Sequence, residues 1–148
     1  MSADPKRDVL RHMVATVGFR GSVAIREAPA SFADFRPMPD MRSPAEILAH
    51  IGDLLEGSHF LLRGEFIELG RAPLPWDDET ERFSAAVRGL DAFLASDAPL
   101  AHPVEKMVQG PVGDALTHVG QIVMLRRMAG IPIREEQYFF ADIVPGTF

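Results

Sequence analysis

Apolar residues in this chain recur at three- and four-residue intervals in four separate stretches, and no stretch alternates apolar with polar as a half-buried strand would. That period restricts the chain to helices that hide one face against one another. The first stretch, about 5–27, has Asp4 as N-cap and Pro5 at the first helical position, with Leu10, Met13, Val14, Val17, Gly21, Ala24 and Ile25 on one face. Gly18 and Gly21 weaken this helix and imply that another backbone approaches closely there. The second opens at Ser43-Pro44-Ala45-Glu46, an N-cap, a proline at N1 and a glutamate at N3 that make a capping box, and runs to about Arg63. The third covers about 78–96 with an acidic first turn, and the fourth covers 112–129, stopped by Gly130 and Pro132. Between them lie two breaker-rich loops, 29–43 pinned by Phe32 and Phe35, and 70–77 with Trp76 as its anchor. A short helix fits 104–109, and the tail 131–148 lies across the bundle. The expectation is an all-α four-helix bundle with long inter-helix loops and an extended C-terminal tail, a single domain over 1–148.

Composition narrows the function classes. With 148 residues, 47% of them hydrophobic, the chain can bury one sizeable core. It has no cysteine, which removes disulfides, thiolate zinc sites and any cysteine nucleophile. A formal charge of −6 with scattered basic residues leaves no positive footprint for a nucleic-acid backbone. No apolar run approaches the roughly 18–20 residues of a membrane span. The nearest thing to a signal segment, MVATVGF at 13–19, is short, lies between Asp8 and Arg20, and lacks a small-x-small cleavage site. A soluble cytoplasmic protein, without nucleic-acid or membrane partners, is expected.

The fourth stretch, GDALTHVGQIVMLRRMA at 113–129, carries a polar stripe. At 100° per residue, Asp114, His118, Gln121 and Leu125 fall within about 60° of one another, so the face begins polar and ends apolar. Leu116, Val119 and Val123 share the opposite side with Arg126 and Arg127, which suggests cover by a second subunit, and hence a homodimer. Asp114 and His118 are four apart and can converge on one ion, a carboxylate oxygen and an imidazole nitrogen being ordinary ligands of first-row metals. A third ligand must come from a facing helix. His50 and His59 stand at opposite edges of the second helix's apolar face and both are candidates; His12 points away from the stripe of its helix, and His102 lies in a loop between prolines. Each residue also has a plainer reading: His118 as a satisfied core histidine, Asp114 as a favourable first-turn acid, His59 as exposed, Asp53 and Glu46 as solvated edge charges. Gln121 fits a hydrogen bond behind the ligands better than a metal bond.

The four-helix pattern together with SPAEILAHIGDLL (43–55) and DALTHVGQIVMLRRMAG (114–130) resembles the DinB-like superfamily of metalloenzymes. The likeness in helix pattern covers essentially the whole chain; the motif content lies in those two segments. In that family a histidine on the second helix and two histidines spaced i, i+4 on the fourth bind a divalent metal, and a Gly-Gln commonly follows the last. The resemblance thus implies His50 and His118 as ligands, with Gly120-Gln121 in place, and departs from the pattern at Asp114, where a histidine is usual. It implies a site for zinc, nickel, iron or manganese held by His50, Asp114 and His118.

Two classes of function follow. One is a metal-dependent enzyme, a thiol S-transferase using a low-molecular-weight thiol as some relatives do, or a hydrolase; no Ser-His-Asp set or Gly-rich phosphate loop offers other chemistry. The other is a non-catalytic dimeric bundle, a stress-response or ligand-binding protein with a degenerate metal site.

Overall fold

The computed structural model describes residues 4–148. Five helices are present among the described residues: α1 (Pro5–Ile25), α2 (Pro44–Leu62), α3 (Trp76–Ala95), the short α4 (Val104–Gln109) and α5 (Pro111–Met128), with 3-10 turns at Ala30–Asp34 and Tyr138–Phe140. The architecture is all-α and four long helices make the bundle, with no strand among the described residues. Both α1 and α2 pack chiefly on α3 and α5, so the helices run α1, α3, α2, α5 around the bundle. Sequence neighbours α1 and α2 therefore sit diagonally, as do α3 and α5. This arrangement accounts for the long segments 26–43 and 96–110, which cross the end of the bundle instead of joining neighbours.

The helix starts follow their chemistry. Asp4 accepts from the Lys6 N–H at 3.0 Å ahead of Pro5. At α2 the Ser43 hydroxyl accepts from the Glu46 N–H at 3.3 Å, while the Glu46 carboxylate accepts from the Ser43 N–H at 2.8 Å, completing the capping box. After α5, Gly130 takes φ +76°, the left-handed conformation that ends a helix without steric cost.

Several expectations need correction. Gly21 is crowded by a side chain and not by a backbone: a Cβ there would stand 2.3 Å from Phe83 Cζ, so the glycine makes room for an α3 ring. Trp76 is no loop anchor but the first residue of α3, buried and edge-on to Phe32 with ring centroids 5.8 Å apart. On α5, Val119 lies in the core, Leu116 and Val123 pack against it, and Arg126 is buried. The Arg126 guanidinium donates to the carbonyls of Ala24 and Arg26, closing the C-terminus of α1, and to Ile131, where the tail begins. Val119 and Arg126, and in part Leu116 and Val123, are thus packed within the chain, while Arg127 is exposed. No described helix is long and apolar enough to cross a membrane.

Candidate metal centre

α2 and α5 lie side by side, and each contributes to one cluster at their solvent edge. The start of α5 is set by a sharp break after α4: Gly113 comes so close to the Val108 carbonyl oxygen that a Cβ would lie 2.4 Å from it. That break aims the first turn of α5, with Asp114 in it, at the second turn of α2, which carries His50. One ligand atom each from His50, Asp114 and His118 lies within 4.8 Å of the others. Among the described residues no other three such side chains converge this way.

In detail, His50 Nε2 stands 3.5 Å from Asp114 Oδ2, and His118 Nδ1 stands 3.3 Å from Asp114 Oδ1. Both separations exceed a good charge-assisted hydrogen bond, so the carboxylate is not consumed by either ring. The imidazoles meet edge to face with centroids 4.6 Å apart. Two ligands at about 2.1 Å from one ion are at most about 4.2 Å apart, so the cluster is slightly wider than a coordination sphere and side-chain rotation closes it.

The Asp114 backbone carbonyl adds a constraint. His118 Nδ1 donates to it at 2.8 Å. A carbonyl can only accept, so Nδ1 carries the hydrogen and the lone pair is left on Nε2, the usual way a ligating histidine is fixed in tautomer and orientation. Thr117 Oγ1 donates to the same carbonyl at 2.8 Å. Exposure decreases from Asp114 (46%) to His50 (32%) to His118 (14%), so the cluster is a mouth with one deep ring and an accessible carboxylate.

The remaining candidates fall elsewhere. Gln121 is exposed on the rim, lines the same cleft as His118 and makes no hydrogen bond among the described residues. His59 is turned toward α3, its ring 5.3 Å from that of Phe93; burial, and then the charge of Arg63, push its imidazole down. It is partly buried, not exposed, and it is far from the cluster's face. His12 and His102 are exposed.

Sequence reasoning missed what stands behind His50. Asp53 is buried and receives Arg82 Nη2 at 2.5 Å; Glu56 receives the same guanidinium through Nε at 2.9 Å and Nη2 at 2.8 Å. Burial alone would lower the Arg82 pKa, but the Glu56 and Asp53 hydrogen bonds outweigh it and raise it, holding the charge in place. The second Asp53 oxygen accepts from the Gly70 N–H at 2.9 Å, which fastens the 63–75 loop beside His50. Glu46, one turn before His50, is likewise occupied: the Arg36 guanidinium, and then the Ser43 N–H, hold its carboxyl down to about 2. Gly52 was a readable signal, since a Cβ there would come within 2.9 Å of Arg82 Nη1.

The donor set, two imidazoles and a carboxylate with one imidazole pinned in tautomer, suits a divalent transition ion. Comparison with protein-family models, with curated proteins and with solved structures finds no match.

Proposed function

We propose that His50, Asp114 and His118 hold a divalent transition metal ion, and that the chain is a metal-dependent transferase or hydrolase of the DinB-like type. The observation that carries this reading is the convergence of the three side chains across the α2–α5 contact, with His118 Nδ1 tied to a backbone carbonyl. A bound ion supplies Lewis acidity, which makes a thiol or a water easier to deprotonate at neutral pH.

The protein's own contribution is placement. Asp114 brings one negative charge and the neutral imidazoles none, so the donors offset half the charge of a divalent ion and leave an attraction for an anionic reactant. Three protein donors leave coordination positions free, and the exposed side of Asp114 gives access to them. The chain has no cysteine, so in a thiol S-transferase the nucleophile enters as a low-molecular-weight thiol.

Protein purified without an affinity tag is expected to carry close to one zinc, nickel, iron or manganese per chain by elemental analysis. His118→Ala should remove it and His59→Ala should not. Metal-free wild-type protein that takes up none of these ions on titration overturns the proposal and leaves a non-catalytic, ligand-binding bundle.

A further inference from the structure

Two clefts of opposite character flank the histidine–aspartate cluster, and Arg42 lines both. On the His118 side the cleft is walled by Met41, Ile47, Met124 and Leu125, and encloses about 430 Å³. Ile47 and Leu125 form its buried floor, while Met124 is 53% exposed and makes a movable rim. This is room for a substituent of several carbons, with Arg42, His118 and Gln121 as the polar groups along its edge.

On the His50 side the cleft is polar, with Glu46, Asp53 and Arg71 beside His50 and Arg42. Its two carboxylates are already occupied, Glu46 by Arg36 and Asp53 by Arg82 and the Gly70 N–H. Its two arginines are not: neither Arg42 nor Arg71 makes a hydrogen bond or ion pair among the described residues. The two guanidinium groups are therefore the charged groups of this cleft left open to an anion.

We infer that the substrate reacting at His50, Asp114 and His118 is an amphipathic carboxylate, its apolar body lying in the methionine-rimmed cleft and its carboxylate meeting Arg42. This rests on the metal reading above and adds to it the chemical class of the reactant. An arginine fork recognises a carboxylate in plane, which a lysine would not do as selectively. An apolar cleft next to it gains from each methylene withdrawn from water. A molecule carrying only one of these features would use only half of the site.

The test uses zinc-loaded full-length protein and a homologous probe series, 2-mercaptopropanoate to 2-mercaptooctanoate, with 1-heptanethiol as the control lacking a carboxylate. Binding is read by isothermal titration calorimetry, and zinc affinity is read separately by chelator competition. The Kd should tighten by about threefold per added methylene while the chain still fits the cleft. Met124→Gln should flatten that dependence, and Arg42→Gln should weaken the carboxylates by about tenfold while leaving 1-heptanethiol unchanged. Neither change should alter zinc affinity, because neither residue belongs to the ligand set. Zinc binding with a flat series, or with equal losses for the acids and the control in Arg42→Gln, overturns the substrate class alone. Failure of the wild-type chain to bind zinc overturns the metal reading and this one together.

Discussion

Asp114 acts through two separate groups, and only one of them depends on the residue type. Its backbone carbonyl orients His118, and any amino acid at that position would supply the same acceptor. Its carboxylate alone adds the third donor. Asp114→Asn keeps size and backbone while removing the charge, and should lower zinc affinity by more than the about tenfold loss that follows removal of an outer hydrogen-bond partner. Asp114→His should retain binding, since an imidazole at i−4 reaches the same point. Chelator competition on both variants checks this, and wild-type affinity in Asp114→Asn would mean that the carboxylate is a bystander. The i, i+4 spacing made Asp114 and His118 readable from sequence because helical geometry alone brings them together. His50 and His59 were not separable that way: they lie on opposite edges of one helix, and which edge meets α5 is decided by the packing order, not by the period.

α2 works as an element with two polar edges. One edge presents His50 to α5, and the other clamps α3 through Asp53, Glu56 and Arg82. Fully buried Glu79 adds its charge to the clamp, with Oε1 accepting from the Leu74 N–H and Oε2 standing 3.6 Å from Arg82 Nη1. Arg82→Met would leave Asp53 and Glu79 buried without their cation, a loss of about 3–5 kcal/mol by the usual behaviour of broken buried pairs. Urea denaturation of wild type and variant tests it, and equal stability of the two would show that the clamp holds nothing. Capping made the start of α2 plain in the sequence, whereas this clamp was hidden. Asp53 and Glu56 have the spacing of solvated edge residues, and Arg82 sits in an acidic surface-like run, so only the three-dimensional pairing marks them as interior.

Across the whole molecule, the four apolar periods were enough to give the bundle, because each helix declares one face and those faces have few ways to close. Their order around the bundle was not given by the periods. It depends on the crossing segments, whose prolines and phenylalanines mark loops without saying which helix they lead to. The tail shows the same limit. The apolar outward side of α5 suggested a second subunit, and the period does not show that residues far along the same chain also lie on that side: the Tyr138 ring lies edge-on to Phe19 at 6.4 Å and beneath the Arg20 guanidinium at 4.1 Å, and the tail's 133–138 segment borders Val119 and Val123. Tyr138 thus pins the tail to α1 beside the α1–α5 seam. Removing its ring, Tyr138→Ala, forfeits an aromatic pair and a cation–π contact, together about 1–2 kcal/mol. Tyr138→Phe keeps both rings in place and should cost little. The two variants separate pinning by the ring from any role of the hydroxyl, and equal stability of Tyr138→Ala and wild type in urea would mean that the tail lies on the bundle without holding it. Because Tyr138 packs at the α1–α5 side and the metal cluster at the α2–α5 side, zinc affinity should be the same in all three proteins even where stability differs.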